Sequence, residues 1–225
     1  LTTPLTIGLT TGLFVIFALV FSSTMLCELC YDEASRHLVI YGDLKKAFLW
    51  MKRMKRLDIL HWYRSQYAVF MSVYYEDTDD VEGLRTVLQD RIFQSNESMK
   101  LVYHYGLLQV AIRERDDESL NQHYHAIETT YQRVHREKDR STALIYDLRM
   151  IQAEYELYYR HMSSANQHLN RVRLEHLNKR EQSHYYYLKY RSEMLGKQKK
   201  RAQHFYELAL KQYPQGQFIK VLTHY

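Results

Sequence analysis

Two kinds of hydrophobic pattern divide the chain. From Leu5 to Leu26 it reads LTIGLTTGLFVIFALVFSSTML, and no charged side chain precedes Glu28. A helix of those 22 residues is about 33 Å long, against roughly 30 Å for the hydrocarbon core of a bilayer. Its Thr and Ser hydroxyls can bond back to helix carbonyls, so they do not bar it from lipid. The run predicts a membrane-spanning helix through residues 5–26, within an anchor segment 1–27. A buried core helix and a cleaved signal peptide are the plainer alternatives. A signal peptide calls for a basic leader and a small-x-small cleavage site, and no basic residue stands ahead of the run.

From residue 28 onward the pattern changes to apolar positions at helical spacing. A small residue is followed by apolar ones at +4 and +7, which fall on one helical face. Ala47, Met51 and Met54 show it, as do Ala165, Leu169 and Val172, and Ala202, Tyr206 and Ala209. Leu120, Tyr124 and Ile127 keep the spacing with a larger first residue; Gly83, Val87 and Asp90 keep it with a polar last one. The first positions, 47, 83, 120, 165 and 202, are separated by 36, 37, 45 and 37 residues. Such a period marks stacked helical units, because a lone helical hairpin cannot bury its apolar face. The interval of 45 places a longer connection near Arg136–Arg140, and Gln217–Tyr225 reads as a short capping helix or the start of another.

Ala202, Tyr206, Ala209 and Pro214 carry the small, large, small, Pro signature of a second repeat helix, and Gly42-Asp43 sits five residues before Ala47. Here the chain resembles the tetratricopeptide repeat (TPR) family. Tyr67, Phe70, Met71 and Tyr74 occupy first-helix core positions of the second unit, although Met71 stands where the family has a small residue. The resemblance covers residues 28–214. It implies an all-α fold, a right-handed α-solenoid of about five degenerate TPR-like hairpins, filling residues 28–225 after one transmembrane helix. The polar stretches Glu76–Asp80, Glu114–Asp117 and Gly196-Lys197 are expected as turns whose Asp residues cap the next helix.

Composition agrees with long helices. Seven Gly and two Pro are few for 225 residues, whereas sheet-rich folds need many tight turns. Twenty-one Tyr against eight Phe suits a thin layered fold, where a ring is half covered and its hydroxyl stays wet. The net charge of +5 is a mild bias that fits an anionic membrane surface or nucleic acid without selecting either. The basic residues nearest the span, Arg36, Lys45, Lys46, Lys52, Arg53, Lys55 and Arg56, all follow it. By the positive-inside rule they predict a single-pass protein whose repeat domain faces the cytoplasm.

The candidate chemical motifs are weak. Cys27-Glu28-Leu29-Cys30 is a C-x-x-C, and a metal or redox role is the reading it opens. It has no second Cys pair, so two small apolar residues at a helix junction is the plainer reading. His123 and His125, two residues apart on a helix, point about 200° apart and cannot chelate together. Glu181-x-x-His184 stands alone, where a di-iron bundle needs two such motifs and two more Glu. No nucleophile-elbow, zinc-protease or phosphate-loop motif occurs, so neither enzymatic activity nor a cofactor is expected. The segment Lys45–Arg56, with Lys45, Lys46, Trp50, Lys52, Arg53, Lys55 and Arg56, is basic and amphipathic; it can rest on anionic headgroups or simply be a solvated helix face. Lys197, Lys199, Lys200 and Arg201 lie near Tyr185–Tyr187, a basic-aromatic mix that also suits a nucleic-acid-binding regulator, though nucleic acid is the less expected partner.

The TPR resemblance further implies a concave groove lined by first helices. The matching positions are Ser65, Ala68, Ser72 and Tyr75, then Val102, Tyr105, Gln109 and Ile112. The later units add Tyr146, Arg149, Ala153 and Glu156, then Ser183, Tyr186, Tyr190 and Glu193. Tyr-rich and short of charge, this surface is expected to hold a peptide or protein partner, chiefly through Tyr75, Tyr105, Gln109, Tyr146, Arg149, Tyr186 and Tyr190. The expected function is therefore a membrane-anchored scaffold or adaptor.

Overall fold

The computed structural model describes residues 4–137 and 146–214. Among them the chain is all-α, with ten helices: α1 (Pro4–Arg36), α2 (Leu44–Leu57), α3 (Arg64–Thr78), α4 (Val81–Leu88), α5 (Glu97–Glu114), α6 (Asp117–Glu137), α7 (Leu148–Tyr158), α8 (Met162–Leu169), α9 (Lys179–Leu195) and α10 (Lys199–Gln212). They pair in chain order as five hairpins, α1 with α2 through to α9 with α10. Most of the connection after α6, and the segment Gln217–Tyr225, lie outside the described residues.

One turn geometry recurs in every hairpin. Gly42, Asp79, Arg115, Arg160 and Lys197 have φ of 66°, 60°, 58°, 62° and 57°. A left-handed residue here ends the first helix by turning its N–H back onto carbonyls of the last turn. The next residue then starts the second helix. Asp43, Asp80 and Asp116 accept bonds from the backbone N–H of Lys46 (3.0 Å), Gly83 (2.8 Å) and Ser119 (3.1 Å), satisfying donors that a helix start leaves free. Gly42 is additionally required by packing, because the Tyr213 ring lies 3.2 Å from where a Cβ would stand.

All five first positions of the sequence period fall in second helices. Ala47, Leu120, Ala165 and Ala202 are buried to 1% exposure or less, where small side chains let paired helices approach. The second hairpin departs by one residue. Leu84 and Leu88 are buried, while Gly83 and Val87 are only half-buried. Gly83 instead clears an aromatic ring, since a Cβ there would meet Tyr75 at 2.5 Å. Asp90 caps a 3₁₀ turn, Arg91–Gln94, and its carboxylate accepts a 2.8 Å bond from Arg64.

The first helix has two unlike halves and no break between them. Leu13, Phe14, Val15, Ile16, Phe17, Leu19 and Phe21 are at least half exposed, whereas Cys27, Cys30 and Ala34, with Leu38 just beyond the helix, are buried. The buried set recurs every three or four residues and packs on Ala47, Met51 and Met54 of α2. By length and composition this helix can cross a membrane; a signal sequence passes the same test, and its small buried share sets it apart from a soluble core helix. A π-helical turn, His37–Tyr41, follows it.

The last hairpin returns to the first. α9 packs against the His37–Tyr41 turn as well as against α7 and α8. Tyr213, just after α10, is fully buried in the apolar cluster that holds Cys27, Cys30, Met51 and Met71.

Candidate functional site

The return of α9 brings the inward faces of α3, α5, α7 and α9 together around a buried polar cluster. Arg180, in the first turn of α9, donates from Nε to Asp77 at 2.8–2.9 Å and from Nη2 to Glu76 at 3.0 Å. The Tyr213 hydroxyl donates to Asp77 at 3.1 Å, and the Tyr105 hydroxyl to Glu76 at 3.5 Å. Beside them the Gln109 amide donates to Glu154 at 2.7 Å, and His184 Nε2 stands 3.7 Å from the other Glu154 oxygen. Asp77 is fully buried, and the exposures of Glu76, Tyr105, Gln109, Glu154, Arg180 and His184 reach only 6%.

Burial raises the Glu76 carboxyl above its ordinary pKa, Arg180 opposing and Asp77 reinforcing the shift. Burial acts the same way on Glu154, but His184, Arg191 and the Gln109 amide outweigh it, and this carboxyl is lowered. The Arg180 guanidinium is held well above its usual range by Asp77 and Glu76 against the cost of burial. The cluster is a clamp: one buried cation holds two acids from a helix more than a hundred positions earlier. Buried pairs of this kind are strongly destabilising to break, because the surviving charge is left alone.

This arrangement corrects the expected groove. Tyr105 and Gln109 are core residues, as are Ala68, Ser72, Val102, Ala153, Ser183 and Glu193. Ala68 and Val102 are covered by neighbouring hairpins and Ser183 by α10, while Tyr105 and Gln109 face the buried acids Glu76 and Glu154. Glu76 and Asp77, expected in a solvated turn, sit in the last turn of α3 and face Arg180. The remaining positions differ among themselves. Tyr75 is half-buried against Gly83; Tyr146 stacks on Tyr105 with ring centroids 4.0 Å apart. Arg149 is exposed and donates to the Arg171 carbonyl at 2.6 Å. Tyr186 and Tyr190, one turn apart on α9, are half-buried, with Phe205 and Tyr206 of α10 at ring distances of 6.4 and 6.2 Å.

The basic segment is α2 itself. Lys52, Arg53, Lys55 and Arg56 are exposed in its last turns, at the end where Cys27 Sγ lies 3.7 Å from the Met54 carbonyl. Arg53 covers the Trp50 ring at 4.5 Å. Lys45 and Lys46 lie at the opposite end of α2, beside the hairpin turn. Cys27 and Cys30 are free thiols packed in the first-hairpin core. Among the described residues no group of three metal-ligating side chains is gathered. Of the histidines, His104 and His123 meet, with Nδ1 atoms 3.1 Å apart, whereas His125 points to solvent. The Arg180 clamp and the His104–His123 pair were not visible as sites in the sequence.

Comparison with known proteins adds no family: no family model, characterised protein or solved structure matches this chain significantly.

Proposed function

We propose that this chain is a single-pass, membrane-anchored scaffold, not an enzyme, built from degenerate TPR-like hairpins and facing the cytoplasm. The bare apolar half of α1 carries the reading, because it is exposed at residue after residue and continues without a joint into the first hairpin. A body fused to its anchor in this way is held at a set distance and orientation from the bilayer, which suits a protein that presents a partner there. The basic last turns of α2 support the cytoplasmic side. The sealed clamp leaves the half-exposed aromatics of the last hairpin, Tyr186 and Tyr190 with Phe205 and Tyr206, as the favoured anchor points for a protein partner. Half-covered tyrosines give large contact area at low entropic cost.

The test is photocrosslinking in native membranes with a benzophenone side chain at position 186 or 190. Specific adducts are expected, together with a loss of capture of about 1–2 kcal/mol per tyrosine changed to alanine and no change in melting temperature. Capture that survives the double variant Tyr186→Ala, Tyr190→Ala removes this surface from the proposal. Digestion of residues 60–214 by protease added to intact cells reverses the topology.

A further inference from the structure

The connection between α2 and α3 carries an apolar cluster that nothing among the described residues covers. Ile59, Leu60 and Trp62 are 74%, 46% and 61% exposed. Exposed apolar side chains on a floppy loop would mean little, but this loop is built. The Asp58 carboxylate accepts from the backbone N–H of Trp62 at 2.9 Å and of Tyr63 at 3.0 Å. His61 sits in the left-handed region with φ of 57°, its ring Nδ1 3.0 Å from the Ile59 carbonyl. The loop is also tied to α1. Ser23 donates to the Leu57 carbonyl at 2.7 Å, and the Tyr63 hydroxyl donates to the Thr24 carbonyl at 3.4 Å. Between them lies a cleft of about 120 Å³ lined by Leu19, Val20, Ile59, Leu60 and Trp62 among others.

The tie fixes the depth of the loop. The span Leu5–Leu26 is about 33 Å long, close to the thickness of a bilayer hydrocarbon core of roughly 30 Å. The loop is tied at Ser23 and Thr24 and so meets α1 in the last turn of that span, near the level at which tryptophan is enriched in membrane proteins. Immediately before it come the exposed Lys52, Arg53, Lys55 and Arg56. Apolar side chains flanked by cations are the composition that inserts at an anionic headgroup boundary.

We infer that Ile59, Leu60 and Trp62 form a second membrane contact, a wedge entering the same leaflet at which α1 emerges, with the α2 cations on its anionic headgroups. The inference rests on α1 being a retained anchor. Two contacts on one rigid hairpin fix the tilt of the body, which a single helix leaves free.

The test uses the full chain with Trp50→Phe, so that Trp62 is the only tryptophan, in vesicles of phosphatidylcholine and phosphatidylglycerol. Flotation reads the anchor; Trp62 emission reads the wedge. The expected result is co-flotation, with blue-shifted emission. Nitroxide labels high on the acyl chain should quench it more than labels at the chain end, as interfacial depth requires, and aqueous iodide should quench it poorly. Vesicles that float with protein whose Trp62 is freely quenched by iodide overturn the wedge and leave the anchor standing. Protection from iodide without quenching by any lipid label indicates a protein contact and likewise overturns it. Protein that stays at the bottom of the gradient overturns both readings.

Discussion

Replacing Arg180 by methionine tests whether the last hairpin is clamped to the second. The change keeps much of the side-chain volume and removes the guanidinium. It leaves Glu76 and Asp77 at 3% and 0% exposure without the guanidinium, the Tyr213 and Tyr105 hydroxyls still donating to them. Breaking a buried pair in this way costs about 3–5 kcal/mol. At roughly 2–4 °C per kcal/mol for a domain of this size, the melting temperature should fall by about 6–20 °C. The loss should depend on pH with a definite sign. Glu76 already has a folded pKa raised above its unfolded value, and without Arg180 it rises further. Such a group favours the folded state below its unfolded pKa and loses that contribution as pH rises through the folded one. The variant should therefore be hurt more at pH 8 than at pH 5. Adding Glu76→Gln and Asp77→Asn should restore a large part of the loss, since no buried charge is then left unpaired. The assay is thermal melting by circular dichroism in detergent micelles, with hydrogen exchange to locate the opening in residues 37–43 and 179–213. A fall of less than about 2 °C, equal at both pH values and not restored by the acid changes, would refute the clamp.

Three further outcomes follow from other parts of the molecule. Burial, with His123 adding repulsion, pushes His104 from 6.5 down to about 4; stability held above the unfolded value should be lost as pH falls through this window. After solvent screening the loss is about 1–2 kcal/mol, and His104→Gln should remove it from melting curves recorded across that range. Ala202→Glu puts a carboxylate at a site of 1% exposure and should cost about 3–5 kcal/mol, while Lys200→Glu on the exposed face should stay within about 0.5 kcal/mol; equal melting shifts would contradict the hairpin register. Tyr105→Ala opens a hole beneath Tyr146 and should lower stability by about 3–5 kcal/mol, with partner capture lost only in step with folding.

Much of this fold could be read from local pattern. Ala47, Ala165 and Ala202 announced close helix contacts, and Asp43, Asp80 and Asp116 announced helix starts, because both depend on neighbours within a few residues. Arg115 and Lys197 lie in stretches that read as turns and Arg160 does not, but the left-handed conformation of all three is imposed by the hairpin and is not preferred by those side chains. The closure was hidden for a related reason. A buried acid and a solvated acid look alike until the partner is known, and Arg180 is 103 residues from Asp77. Tyrosine carries a similar ambiguity. Tyr105 and Tyr190 have the same chemistry, yet one is buried against Tyr146 and the other is half open. At Gly83 the period lies one residue out of phase with the buried Leu84 and Leu88, since a glycine that clears the Tyr75 ring imitates a small helix-contact residue. The layout of α2 was legible in part: its basic residues stood out, but only the fold shows that Lys52–Arg56 lie at the end beside Cys27 and the apolar run, and Lys45 and Lys46 at the hairpin turn.

The central claim is that the bare half of α1 remains in a membrane while its other half is the first repeat helix. Alkaline carbonate extraction of cells producing the full chain tests it most directly. Because the span is uncharged, insertion does not depend on ionic screening. The protein should stay with the membrane pellet in carbonate and in high salt, and detergent alone should release it intact, with residues 13–21 still present by mass spectrometry. Recovery of the intact chain in the soluble fraction, or of a chain cleaved within α1, would contradict the account.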